Sequence, residues 1–184
     1  MNIQKDYQLG YINGYLTALL EFYNLRFKRK NDLRLTHAFF IQADATGDLA
    51  EDVVNSVVEF HNRLHPIESV NHQQLKENLQ LNPLQVSLQE LGAKLEPWLP
   101  AQEQREIVRY HQATDFSPAF DGLVENVLEY VIRDYGLPGD NYKYWEADIT
   151  GIVKLFFASV DKVQTIVFEN GKCVCVLHFV REFL

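Results

Sequence analysis

The feature that most constrains this sequence is an Asn-Gly pair between two apolar runs near the C-terminus. Residues 163–169 and 172–179 are rich in β-branched and aromatic side chains, and Asn170-Gly171 separates them. Asn and Gly both accept positive φ angles, which a tight type I′ turn between antiparallel strands requires. A single hairpin is only marginally stable in water. The sequence therefore predicts a C-terminal β-hairpin that packs against other parts of the chain.

The residues before this hairpin favour helices. Apolar side chains recur at three- and four-residue steps, the spacing that places them on one face of a helix. The predicted helical segments cover residues 5–25, 49–64, 68–81, 83–96, 100–113, 118–135 and 149–160. We therefore expect a single domain of residues 1–184, of class α+β and mainly helical, with about six helices and the C-terminal hairpin.

Two segments leave alternatives open. Residues 149–160 could instead form a strand, with Asp161-Lys162 as a second tight turn. That strand would extend the hairpin to a three-stranded antiparallel meander, which we rank second because no alternation of polar and apolar residues supports it. The segment Leu35–Ile41 fits a short strand or a short helix equally well.

The charge of the chain limits its partners. Across 184 residues the net charge is −8, which argues against general binding of a nucleic-acid backbone. The stretch from Leu9 to Phe27 is interrupted by polar residues such as Asn13 and Asn24, so we expect no membrane span. The polar residues after Met1 do not resemble a signal peptide.

The two cysteines indicate a reducing compartment. Cys173 and Cys175 are two residues apart in a predicted strand, where they share a face and are poorly placed to bond each other. Two thiols without a disulfide framework are typical of cytoplasmic proteins. His178 falls on the opposite face of that strand, so the three residues do not predict a common site.

His61 and His65 are the candidate metal ligands. They are four residues apart on a predicted helix, a spacing that metal-binding histidines use. A tetrahedral site needs one or two further ligands from elsewhere in the chain, for which His37, His72 and His111 are the candidates. We prefer two partly buried histidines at the end of a helix, and we predict no metal and no cofactor.

Arg105 and His111 are the candidate catalytic residues. Their spacing on one predicted helix resembles that of the arginine and histidine of the HEPN ribonuclease family, over seven residues of the chain. The resemblance implies His111 as general acid or base and Arg105 as the group that stabilises the transition state. A surface arginine and a half-buried histidine explain the pair more simply, so whether the chain is an enzyme stays uncertain and we lean against it.

Two N-terminal features suggest alternative ligands. Arg26, Lys28, Arg29 and Lys30 form the one stretch suited to RNA, and together with Arg105 and His111 they support an RNA-directed enzyme or RNA-binding protein as the second hypothesis. Tyr7, Tyr11 and Tyr15 recur every four residues and would line a small-ligand groove, which is the third hypothesis.

The leading functional hypothesis rests on an acidic stripe. Asp121, Glu125 and Glu129 fall on one line of the predicted helix 118–135, opposite its apolar face. Like charges at this spacing cost a few tenths of a kcal/mol per pair, which a role in binding would offset. We expect a non-enzymatic, cytoplasmic protein-binding module of inhibitor or immunity type, which docks a protein partner with a basic surface.

Overall fold

The computed structural model describes residues 34–67, 69–85, 88–98 and 143–183, together with residues 10, 12–14, 16–18, 20, 21 and 24. Its central element is an antiparallel five-stranded sheet with the strand order β1-β5-β4-β3-β2. The strands are β1 (Arg34–Asp44), β2 (Gln80–Leu84), β3 (Lys143–Asp148), β4 (Val160–Glu169) and β5 (Cys173–Phe183). The helices are α1 (Leu49–Leu64), α2 (His72–Asn78), α3 (Leu88–Leu95) and α4 (Thr150–Val153), and the 3₁₀ turn Glu96–Trp98 follows α3.

This architecture contradicts the expected fold, a mainly helical domain of about six helices closed by a hairpin. β4 and β5 do pair as the predicted hairpin, but β5 is also flanked by β1, so the hairpin lies inside a larger sheet. The three-stranded meander is wrong as well. Residues 150–153 form the short helix α4, Val160 already belongs to β4, and the strand next to the hairpin is β3.

Two helices, predicted over residues 83–96 and 149–160, are shorter in the structure, for identifiable reasons. Asn82-Pro83 lies in β2, an edge strand, where the missing N–H of proline is tolerated. α4 ends at Val153, and the apolar residues after it pack onto the sheet without continuing the helix. In both places tertiary contacts outweigh the local three- and four-residue spacing.

The sheet is covered on both faces, which explains why its strands do not alternate. One face packs against α3, Trp98 and the helical segment that contains Ile12, Leu16 and Leu20. The other face packs against α1, α4 and α2. β5 is an interior strand with a neighbour on each side and a helical layer on each face. Its residues from Val174 to Val180 are therefore all buried, and the strand is a nearly continuous apolar run.

The turn between β4 and β5 lies one residue later than predicted. Asn170 and Cys173 face each other, since the backbone N–H of Asn170 donates to the carbonyl oxygen of Cys173 at 3.4 Å. The central pair is therefore Gly171-Lys172. Gly171 has φ +78°, and the side chain of Asn170 accepts hydrogen bonds from the N–H groups of Lys172 and Cys173, both at 3.0 Å. Glycine with positive φ at the first central position is the pattern of a type II′ turn.

The predicted start of α1 agrees with the structure. Asp48 caps the helix, because its Oδ1 accepts a hydrogen bond from the N–H of Glu51 at 3.1 Å. Lys76 of α2 forms ion pairs with Asp48 and Glu51 and so joins the two helices. Asp52 accepts from the N–H of Thr46 at 2.9 Å and from its hydroxyl at 2.6 Å, which fixes the loop between β1 and α1.

Two asparagines protect the outer edge of β1. The side chain of Asn24 donates to the carbonyl of Thr36 and accepts from its N–H, both at 2.9 Å. Asn13 makes the same pair of bonds to Phe40, both at 2.8 Å. The asparagines are separated by about three helical turns, roughly 16 Å, and the strand residues by about 13 Å, so helix and strand run side by side. Each side chain replaces a missing neighbouring strand.

Gly10 and Gly14 of the same segment are not points of close approach to another described element. A Cβ atom at either position would meet no heavy atom of the described residues within 4 Å. The segment contacts the sheet through the two asparagines and through its buried apolar side chains Ile12, Leu16 and Leu20.

Candidate functional site

The candidate site is a cleft at the edge of the sheet. It has a volume of about 740 Å³ and lies between α1, the end of β1 and the start of the N-terminal helical residues. α1 supplies one stripe of its surface, and β1 supplies four consecutive residues. The lining residues are Gly10, Asn13, Phe40, Ile41, Gln42, Ala43, Ser56, Glu59, Phe60, Arg63 and Leu64.

The walls of this cleft are mainly apolar with a charged rim. Leu64 is 51% exposed, one of three large hydrophobic residues that are exposed in the described part of the chain. Phe60 lies one turn before it on α1 and is half-buried. Glu59 and Arg63 form an ion pair on the same helix, so the charges at this rim compensate each other.

Gln42 gives the cleft an unsatisfied acceptor. Its Oε1 is buried and has no hydrogen-bond partner within the described ranges. Phe40 directs its backbone N–H and C=O away from β5 toward Asn13, and backbone direction alternates along an antiparallel strand. Gln42 therefore directs its own N–H and C=O to the same side. A buried acceptor without a donor is uncommon in folded proteins and favours a ligand that brings an N–H group.

A second unusual feature is a pair of buried histidines. His61 of α1 and His178 of β5 are both 0% exposed, and their Nε2 atoms are 3.2 Å apart. The pair lies among the rings of Phe39, Phe60, Phe156 and Phe157, with ring centroids 5.0–5.6 Å from that of His61. The Nδ1 atoms of both histidines are buried and have no partner among the described residues.

Burial keeps these histidines neutral. Loss of solvation lowers the pKa of His61 from 6.5 to about 4, with smaller contributions from the charges of His65 and His37. Loss of solvation also lowers the pKa of His178 well below its usual value, with His61 as the second cause. In the neutral pair one Nε2–H donates to the other Nε2, because each neutral imidazole has one donor and one acceptor nitrogen.

The structure separates the predicted metal ligands. His61 points into the core, whereas His65 follows the last turn of α1 and is exposed. The described part of the chain contains no group of three or more His, Cys, Asp or Glu residues that could hold a metal ion. The true partner of His61 is His178, which no local spacing connects to it. The sequence did show that both histidines lie within apolar runs, and that was the only available signal.

The other predicted site residues lie outside the described ranges. This applies to the acidic stripe Asp121, Glu125 and Glu129, to Arg105 and His111, to the basic residues Arg26, Lys28, Arg29 and Lys30, and to Tyr7, Tyr11 and Tyr15. Cys173 and Cys175 lie on the face of β5 opposite His178, as the sequence predicted. Sequence reasoning missed the cleft, since its two walls are joined only by tertiary packing.

The described residues form an α+β fold, in which an antiparallel sheet is buried between two helical layers. No protein-family model matches the sequence, and no curated protein is significantly similar to it. The chain resembles crystal structures of citrus MAF1. The form in space group C 2 2 21 gives a TM-score of 0.45 at 12% identity, over 86% of this chain and 99% of that one. The form in space group P 31 2 1 gives 0.48 at 11% identity, over 96% and 97%.

A search for membrane-spanning helices gave a negative result. Within the described residues, no helix has both the length and the apolar character needed to cross a bilayer.

Proposed function

We propose that this protein is a non-enzymatic protein-binding module that holds a short apolar segment of a partner in the cleft beside β1. The observation that carries the proposal is the combination of apolar walls with the buried, unpaired Oε1 of Gln42. An extended peptide segment supplies both an apolar side chain for the walls and a backbone N–H for this acceptor.

The exposed side chain of Leu64 supports the same occupant. Because about half of this side chain is already covered, its complete removal from water by a partner would contribute roughly 1 kcal/mol. The compensated ion pair of Glu59 and Arg63 leaves this rim without a strong net charge. The cleft therefore selects its ligand by apolar contact and by one hydrogen bond. The negative charge that would attract a partner lies elsewhere on the molecule.

The net charge of −8 favours a basic partner. Such a charge mainly raises the rate of association and weakens with salt. The acidic stripe of Asp121, Glu125 and Glu129 is the sequence feature proposed to direct that approach. Within this proposal the protein acts in the cytoplasm as an inhibitor or immunity protein toward a basic partner. The sequence feature that favours this compartment is the pair Cys173 and Cys175, which share one face of a strand and do not suggest a disulfide framework.

The experiment is site-specific photo-cross-linking. A photoreactive amino acid is placed at Leu64, and at Leu155 as a matched control, since Leu155 is also exposed (42%) but does not line the cleft. Proteins that cross-link only from position 64 are identified, purified and titrated against the unmodified chain. We expect Leu64→Asp to weaken that binding at least tenfold and Leu155→Asp to leave it unchanged.

Amide chemical shifts then locate the bound partner segment. We expect the largest changes at residues 40–43 and 60–64. Equal cross-linking from both positions, or binding that Leu64→Asp does not weaken, would refute the cleft as the binding site.

A further inference from the structure

The contact between His61 and His178 is a different kind of feature from the cleft. It joins the only two imidazoles among the described residues that are completely buried, and it connects α1 to the interior strand β5. The surrounding phenylalanine rings fill space but supply no hydrogen-bond acceptor. A core position of this kind is normally occupied by an apolar side chain, so the use of two histidines needs a reason.

A metal ion does not explain the pair. Two imidazoles fall short of the three or four ligands of a zinc site, and no third candidate lies near them within the described part of the chain. Histidine ligands also donate their second ring N–H to an acceptor, whereas both Nδ1 atoms here have no partner.

The hydrogen bond between the rings defines where a proton would enter. The histidine that donates through Nε2–H has a bare Nδ1, and the histidine that accepts has an Nδ1–H. An added proton therefore goes to a buried nitrogen and creates a charge that has no partner. Such a charge is costly in a core unless the group becomes hydrated.

Among the described residues, no acid is found to stabilise this charge. The charges that act on His61 belong to His65, which follows α1, and to His37 of β1, and both disfavour a positive His61. On β5 the carboxylate of Glu182 is bound to His37 at 2.8 Å. β4 places the uncharged Thr165 opposite His178, and the residues after α4 contribute the rings of Phe156 and Phe157. Hydration of a protonated pair requires α1 to move away from the sheet.

We propose that the His61–His178 contact is an acid-sensitive device, which holds α1 on the sheet at neutral pH and releases it when the surroundings become acidic. Up to two protons are taken up on release, so the opening equilibrium changes by at most about a hundredfold per pH unit. α1 also forms one wall of the cleft, but the device does not depend on what the cleft binds.

The test is hydrogen exchange of the α1 amides at pH 7 and pH 5, corrected for the intrinsic exchange rates. In the wild-type protein we expect the opening constant of α1 to increase by more than about tenfold at pH 5, because the released histidines bind protons. The double variant His61→Leu/His178→Leu should lose this pH response, and His65→Gln, on the same helix but exposed, should keep it.

A measurement on the wild-type chain keeps the proposal testable if the double variant does not fold. In NMR spectra of the folded protein, the ring signals of His61 and His178 should not titrate between pH 7 and pH 5. Normal titration of either buried histidine, or equal α1 protection at both pH values, would overturn the proposal. So would a double variant that retains the pH response.

Discussion

At the scale of single residues, the molecule depends on a few side chains and torsion angles that neighbouring residues cannot replace. Gly171 adopts φ +78° in the turn between β4 and β5. A Cβ atom there would be 3.7 Å from the nearest carboxylate oxygen of Glu169, which is ordinary contact. Glycine is therefore required by the positive φ angle of the backbone, and not because a side chain would collide with its neighbours.

We expect Gly171→Val to lower the free energy of unfolding by about 1 kcal/mol or more, because a β-branched residue is strained at positive φ. Gly171→Asn is the matched variant and should cost less, since asparagine tolerates this region. Urea unfolding of both variants measures the difference. A valine variant with the midpoint of the wild-type protein would contradict this account of the turn.

Asn24 shows how one side chain replaces a strand. Its amide satisfies both backbone groups of Thr36, which is 1% exposed. Asn24→Ala leaves a buried donor and a buried acceptor unpaired, and we expect a loss of about 1–3 kcal/mol in the free energy of unfolding. The exposed Asn55 of α1 serves as the control, and Asn55→Ala should change stability by less than about 0.5 kcal/mol. Equal effects of the two substitutions would show that the edge bonds do not contribute.

At the scale of elements, α1 is the part of the molecule where the structural and functional arguments meet. It begins at a side-chain cap, packs Val53, Val54, Val57 and Val58 onto the sheet, and contributes a stripe to the cleft. Its start depends on Asp48, whose pKa is lowered first by the hydrogen bond from Lys76 and then by that from the Glu51 amide.

We expect Asp48→Ala to destabilise the protein by about 1 kcal/mol, because it removes the cap of α1 and the ion pair to α2 together. Lys76→Ala removes only the exposed ion pair, so it should cost clearly less. Thermal unfolding of the two variants side by side separates the two contributions. If Lys76→Ala is as destabilising as Asp48→Ala, the ion pair and not the cap fixes this end of α1.

At the scale of the whole molecule, the buried histidines make stability depend on pH. An unfolded histidine binds a proton near pH 6.5, whereas the pKa of His61 in the folded protein is lowered to about 4. Between these values the unfolded state binds more protons, so the free energy of unfolding falls as the pH falls. In this window each buried histidine lowers the free energy of unfolding by at most about 1.4 kcal/mol for each pH unit of acidification. Above pH 6.5 this loss of stability is absent.

Urea unfolding at pH 7.5, 6.5 and 5.5 measures this dependence above the range in which most carboxylates titrate. The wild-type protein should be clearly less stable at pH 5.5 than at pH 7.5. Unchanged stability between these pH values would mean that both histidines bind protons in the folded protein as readily as in the unfolded chain.

The overall charge gives a further expectation for the proposed partner. With the protein captured from position 64, Glu125→Lys/Glu129→Lys should slow association at low salt and leave the urea midpoint unchanged or slightly raised. Glu77→Lys/Asp161→Lys alters the net charge equally at exposed sites elsewhere, and it should slow association less. Equal slowing by both double variants would assign the effect to net charge and not to the acidic stripe.

The sequence alone determined the local features of this protein. The start of α1 at Asp48, the hairpin of β4 and β5 and the positive φ of Gly171 follow from side chains close to each other in the chain. Capping and turn formation depend on neighbouring residues, so their signals survive in the sequence.

Only the tertiary structure decided that a five-stranded sheet, and not a set of helices, organises the described chain. β5 is buried on both sides and therefore lacks the alternation that identifies a half-buried strand. Asn13 and Asn24 interrupt an apolar stretch in the sequence. The tertiary structure explains them, because their side chains form hydrogen bonds with the backbone at the edge of β1. His61 and His178 are 117 residues apart, and they meet because α1 packs over β1 and β5.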